Sequence, residues 1–248
     1  MGRRIISQKR GKGSPAYREA AKGKVAPVAY PFHKFYETRT ARIVDIVHEK
    51  GRAAPIAQLQ LTDGRMAYIP AVEGMVVGET IEIGYDASVK TGNILPLSRI
   101  PEGTIICNIE KCFGDGGKLV RAAGGSAILF SHTPDGAVVR LPSGKSILLD
   151  GKCRAMIGKI AGEGRLEKPL LKAGAKYYAV KGTGKVFPKV RGVAMAAVHH
   201  PFGGGRHQHP GKPTSTHRHA PPGRKVGHIA PRKTGRKHIS RKALARGG

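Results

Sequence analysis

The chain has 248 residues, with 44 Lys+Arg against 16 Asp+Glu and a formal net charge of +28. That excess is far beyond what solubility needs and selects a polyanionic partner. No apolar run approaches the ~18–20 residues of a membrane span, and the basic start MGRRIISQKRGKGS lacks the apolar centre of a secretory signal, so no membrane partner is expected.

Charge divides the chain. Residues 1–36 carry nine Lys+Arg and one acid, Glu19. They read as a basic N-terminal extension, with one short helix expected over Ser14–Ala21. Residues 37–167 are nearly neutral, with sixteen Lys+Arg and fifteen acids. Here apolar and polar residues alternate with period two, and turn signals recur every few residues. Strands are expected over Ala41–Val47, Ala57–Thr62, Arg65–Ile69 and Val76–Ile83. Asp63-Gly64 supplies a two-residue hairpin signal, and Gly78 a break. After Pro101-Glu102-Gly103 the same style resumes over Thr104–Ile109, Ala127–Ser131, Ala137–Leu141 and Ser146–Leu149. Short strands at this spacing favour small barrels over helical folds. The fold expected is mainly β: two small barrels in series, residues 37–100 and 101–190, with a seam near residue 100. A second short helix is expected around Lys168–Ala175.

Residues 168–248 carry nineteen Lys+Arg and no acid, and eight of the eleven histidines lie there. Residues 191–248 read as a basic Gly/His/Pro-rich extension. Neither arm has the apolar content to offset chain entropy alone. Such an arm gains order from phosphates.

Enzyme signatures fail on their own geometry. Gly144-Lys145-Ser146 has the ending of a phosphate-binding loop, but Val139 stands where the first glycine must be. Gly184-Lys185 has Ala179 there and Val186 after it. No Gly-x-Ser-x-Gly elbow joins a strand to a helix, and no acid in the last third can orient a histidine in a triad. The chain is therefore expected not to be an enzyme. Cys107, Cys112 and Cys153 are too few and too irregular for a disulfide framework or a four-cysteine zinc site. They are read as small buried thiols in a reducing, cytoplasmic setting. Asn and Gln are rare, which suits a heat-loving source.

The stretch His199-His200-Pro201-Phe202-Gly203-Gly204-Gly205-Arg206-His207-Gln208-His209 allows three readings. His207-x-His209 and His217-x-His219 could supply four imidazoles to zinc. Metal-bound imidazoles usually hand their second N–H to a carboxylate or carbonyl; no acid is near, and Arg206 and Arg218 adjoin. A solvated His-rich linker is the second reading. The third, which the charge favours, is a loop on RNA. Gly203, Gly204 and Gly205 would let backbone N–H groups approach phosphate. Phe202 would stack on a base, and Arg206 with the imidazoles would donate to phosphates and base edges. No metal and no cofactor are expected.

Val190-Arg191-Gly192-Val193-Ala194-Met195, followed by Val198-His199-His200-Pro201-Phe202-Gly203-Gly204-Gly205, resembles the signature of the universal large-subunit ribosomal protein two family. So do Gly92–Leu97 with Ile100–Thr104, Lys172-Ala173-Gly174, Gly211-Lys212-Pro213 and Ala220–Gly227. The resemblance runs in order along essentially the whole chain, and its variants are of the archaeal and eukaryotic type. It implies an oligonucleotide-binding-type barrel followed by an SH3-like barrel. It implies a structural constituent of the large subunit, a monomer within the ribosome. Large-subunit ribosomal RNA would be its partner, alongside neighbouring ribosomal proteins, tRNA and the small subunit. It also implies roles in subunit association, tRNA binding and assembly of the peptidyl transferase centre, near which the position matching His200 lies. The expected RNA-binding set is Arg3, Arg4, Arg10, Arg191, His199, His200, Phe202, Gly203, Gly204, Gly205, Arg206, His207, His209, Lys212, Arg218, Arg224, Lys225, Arg232 and Lys233. The chain departs from the family pattern at Ala196, usually Asn, at His199, usually an acid, and at His219, often Asp. Each change removes an acid or an amide, so no carboxylate is expected to tune His200. Flanked by His199 in an all-basic segment, His200 is expected to be harder to protonate, although nearby phosphates pull the other way, and to hydrogen-bond RNA rather than act as a general base. Proton transfer by His200 in acyl transfer, or a free zinc-binding RNA chaperone, are the alternatives.

Overall fold

The alternating segments fold as strands in a computed structural model that describes residues 2–19, 21–31, 36–165 and 167–232. β1 (Arg39–Val47) pairs antiparallel with β2 (Ile56–Leu61), and β2 with β3 (Met66–Pro70). The Asp63-Gly64 turn joins β2 to β3 as a three-residue loop with a glycine bulge, not a two-residue turn. The Leu61 N–H donates to the Arg65 carbonyl at 2.9 Å, the Gly64 N–H to the Leu61 carbonyl at 2.9 Å, and Gly64 has φ +81°. β4 (Thr80–Ile83) is shorter than the expected 76–83. Gly78, at φ +94°, donates to the Ile43 carbonyl at 2.8 Å, which holds Val76–Gly78 in a turn.

Six more strands complete a ten-stranded sheet: β5 (Ile94–Pro96), β6 (Ile105–Cys107), β7 (Ala127–Thr133), β8 (Gly136–Arg140), β9 (Ser146–Leu149) and β10 (Arg154–Ile157). Their order is β3-β2-β1-β4-β5-β10-β6-β7-β8-β9. The chain is mainly β, as expected. β5 and β10 are additions to the expected strands. β10, the last strand of the sheet in sequence, inserts antiparallel between β5 and β6.

β5, β10 and β6 are a wall with a core on each side. Ile94, Met156 and Cys107 face one apolar cluster, built with Ile43, Leu59, Ile69 and Ile83. Leu95, Ala155, Ile157 and Ile106 face the other, with Leu97, Ile109, Leu129 and Val139. Successive side chains point to opposite faces, so a strand between two cores is buried at every position, and a polar group there needs an internal partner. Cys107 and Cys153 are buried, and burial pushes both thiols up to about 12, which keeps them protonated and unreactive. Cys112 departs from the expected buried state and is exposed.

One charged pair sits inside. Glu110 is fully buried and Arg154 nearly so. Arg154 Nη2 meets Glu110 Oε1 at 2.6 Å and Arg154 Nε meets Oε2 at 3.1 Å. Glu110 also accepts the Arg154 N–H at 2.9 Å and the Gly116 N–H at 3.1 Å. The guanidinium lies 5.3 Å over the Tyr30 ring and 5.4 Å over the Phe113 ring, and Nη1 donates to the Pro31 carbonyl at 3.1 Å. The Tyr30 hydroxyl donates to the Asn108 carbonyl at 2.6 Å. Burial, first, and the neighbouring Cys107 and Glu110 raise the Tyr30 phenol well above its ordinary value, so it stays a donor. The segment before β1 is thus fastened to the sheet through β10.

By contact, the chain groups as two units: Glu19–Thr183, and Met1–Arg18 together with Gly184–Gly248. The first holds the sheet and α2 (Ala173–Lys181), which starts later than the expected Lys168. The second joins the two chain ends. In it α1 (Ile6–Gly11) opens where the Ile5 N–H donates to the Gln8 side chain at 2.9 Å. The helix expected over Ser14–Ala21 is only a 3-10 turn, Pro15–Tyr17. Ile5, Phe202 and Val226 form a small buried cluster with Val193 against it. Beside it β11 (Ser215–Thr216) pairs parallel with β12 (His228–Ile229). Among the described residues no helix is long and apolar enough to cross a membrane.

Candidate nucleic-acid interface

The unit of joined chain ends contains 21 Lys+Arg and no carboxylate side chain; all sixteen acids lie in the sheet unit. No ion pair between side chains can form inside it. The Arg3 N–H donates to the Val198 carbonyl at 2.8 Å, which lays the N-terminal arginines beside the histidine loop. Arg3, Arg4, Arg10, Arg191, Arg206, Lys212, Arg218 and Arg232 are exposed, as are His199, His207 and His209. Arg191 Nη2 donates to the Gln208 side chain at 2.7 Å. Arg224 and Lys225 are half-buried, and Arg224 Nη1 is buried with no partner among the described residues. Lys233 lies outside the described residues.

The loop differs from expectation at three points. Phe202, expected to stack on a base, is buried at 9 % exposure against Ile5 and Val226. Its ring is one of few large apolar groups in a unit with little else to bury, and the unit's own core claims it. Gly203 and Gly204 do not offer free amides: their N–H groups donate to the His200 carbonyl at 2.9 Å and the Met195 carbonyl at 3.0 Å. Gly203 is glycine because a β-carbon would run into the Met195 and Ala196 carbonyls. Gly204 and Gly205, at φ +79° and +84°, are exposed where the loop turns outward.

His200 is half-buried. Its ring centroid lies 5.3 Å from that of Phe202, and its Nδ1 accepts the Phe202 N–H at 3.0 Å. That bond places the ring proton on Nε2. Burial lowers its pKa; the direction is the expected one, the cause desolvation rather than neighbouring charge. A pKa depressed in the folded state contributes stability above the ordinary value of about 6.5, lost as pH falls below it. The ring lies flat on Gly192, where any β-carbon would overlap it. Gly192→Ala should therefore expel the imidazole and return its titration toward the ordinary value, a change read directly by a histidine NMR pH titration. An unchanged His200 titration would show that the ring does not rest on Gly192.

A second cationic place lies in the sheet unit, and charge counting did not find it. A cleft of about 430 Å³ is lined by Arg52, Arg121 and Arg165, by glycine backbone at Gly124 and Gly162, and by two acids, Glu163 and Glu167. Arg121 Nη2 donates to the Val28 carbonyl at 2.6 Å, while its Nε is buried with no partner among the described residues. Burial, and then the nearby Arg52 charge, lower the Arg121 pKa. Arg52 Nε pairs with Glu49 Oε2 at 3.3 Å, so the unpartnered Arg121 Nε is the donor that this cleft leaves open to an anion. Nothing in the sequence joins residues 52 and 121; only the fold does.

Two family models account for most of the chain. That of the ribosomal proteins L2 RNA-binding N-terminal domain matches residues 7–83, and that of the L2 C-terminal domain matches residues 90–225. Large ribosomal subunit protein uL2 of Desulfurococcus amylolyticus is 54 % identical over 237 residues, covering 96 % of this chain and 99 % of that protein. Its counterpart in Methanothermobacter thermautotrophicus is 52 % identical over 240 residues, 96 % and 100 % of the two chains. That of Halorubrum lacusprofundi is 51 % identical over 236 residues, 95 % and 98 %. The expected family, read from the Val190–Gly205 signature, is therefore the right one: with both domain models matched in order and half the residues shared end to end, the chain belongs to the ribosomal protein L2 family.

Proposed function

We propose that this protein is a structural constituent of the large ribosomal subunit that binds ribosomal RNA at two places: the acid-free unit and the Arg52–Arg121 cleft. The acid-free unit carries this reading, because 21 cations gathered with no internal counter-charge require an external polyanion. Neighbouring ribosomal proteins, the small subunit and tRNA are its further partners, and it supports subunit association, tRNA binding and assembly of the peptidyl transferase centre. It works without metal or cofactor. Peptide-bond chemistry stays with RNA: His200 Nδ1 is engaged by the Phe202 amide and no carboxylate in the unit can orient the ring. The Nε2–H donates to RNA instead.

The test is the salt dependence of binding to large-subunit ribosomal RNA. Each neutralised phosphate contributes about −0.9 (duplex) or −0.7 (single strand) to the slope of log K against log salt. The Arg52→Ala, Arg121→Ala double variant should weaken binding at every salt concentration and flatten the slope by about one to two phosphates. A wild-type affinity that does not respond to salt would overturn the proposal.

A further inference from the structure

Beside His200 the acid-free unit holds a cleft of about 460 Å³, inside the ~300–1,000 Å³ range of small-molecule pockets. Its walls are of two kinds. Ile5, Val190, Met195 and Val226 give an apolar surface, and the His200 ring adds a flat one. Arg10, Lys189, Arg191 and Lys225 add four cations to the same lining. Phosphate alone has no use for the apolar walls. An apolar peptide has no use for four cations, and no acid of this unit can reach them. An unpaired nucleotide satisfies both: its base is a flat, largely apolar plate, and its phosphates are anions joined to it at fixed distance.

We propose that this cleft receives one unpaired base of RNA. The base lies between Met195 and the His200 ring, with the flanking phosphates on Arg10, Arg191 and Lys225. The His200 Nε2–H, left free by the Nδ1 bond to Phe202, donates to an acceptor on the base edge. Gly192 has no side chain because the imidazole must lie flat there to form one wall of the slot. This deepens the RNA-binding reading and rests on it: that reading needs only phosphates, whereas the cleft needs a base.

The experiment uses assembled large subunits carrying the full chain. In Met195→Trp the indole fills the slot; in Met195→Leu it stays open. Base-specific chemical modification and hydroxyl-radical cleavage are read over the RNA. The expected result is one base that is protected with wild-type and Met195→Leu protein, and at least about tenfold more reactive with Met195→Trp. Backbone protections elsewhere should be retained. Should Met195→Trp fail to assemble, Ile6→Cys in a Cys112→Ser background, carrying a photoreactive azide on the cleft lining, should crosslink to a single nucleotide, through its base. Assembled Met195→Trp subunits with no base newly reactive would overturn the proposal. So would azide crosslinks scattered along the RNA backbone, or crosslinks to residues 233–248 of this chain instead of RNA. Failure of the wild-type protein to join the subunit would instead sink the RNA-binding reading beneath it.

Discussion

Arg154→Met should cost about 3–5 kcal/mol of stability, the usual penalty for stripping one partner from a buried ion pair. The substitution keeps an apolar stem of similar length on β10 but leaves the Glu110 carboxylate, at 0 % exposure, with only two backbone N–H donors. It also removes the bond to the Pro31 carbonyl and the stacking on Tyr30. The double variant Arg154→Met, Glu110→Met should recover much of the loss, because no buried charge is left unpaired. Urea denaturation of the two variants beside the wild type measures both values. A single variant within about 1 kcal/mol of wild type would show that the pair does not fasten the sheet.

Residues 184–232 should gain order when RNA is added. Three buried apolar side chains hold the acid-free unit from within, each contributing about 1.5–3 kcal/mol. Against them stand a backbone ordering cost of about 1–2 kcal/mol per residue and the mutual repulsion of the unit's cations. Phosphates convert that repulsion into attraction. Amide hydrogen exchange in the free protein should be fast over residues 184–232 and slow in the β wall of Ile94–Pro96, Ile105–Cys107 and Arg154–Ile157. With ribosomal RNA bound, the Gly203 and Gly204 amides, which hold the loop to His200 and Met195, should slow by orders of magnitude. Equal protection with and without RNA would show a unit that is stable alone.

Much of this protein is legible in its residues, and the exceptions share a physical cause. β1, β2, β8 and β9 show in the alternation because one face of each is buried and the other wet. β5 and β10 were missed for the opposite reason. Ile94-Leu95-Pro96 and Arg154-Ala155-Met156-Ile157 are buried on both faces, so period two vanishes. Arg154 compounds this: an arginine in a short apolar run reads as a surface residue until Glu110 is seen beside it. At the candidate site the charge count found the cations that lie close in sequence. It could not find Arg52 with Arg121, which only the fold brings together. Phe202 was misjudged because its neighbours in sequence are glycine and proline, whereas its neighbours in space, Ile5 and Val226, come from far along the chain.

The central claim is that this protein is built into the large subunit and not merely attracted to it. Sedimentation of native extract through a sucrose cushion at high salt tests this most directly. Loose polycation binding falls steeply with salt, whereas a unit folded around RNA, with a loop core and a fastened sheet, is held by shape as well. The protein is expected to stay with the large subunit in high salt. Its release to the supernatant while other large-subunit proteins remain bound would show that it is held by charge alone.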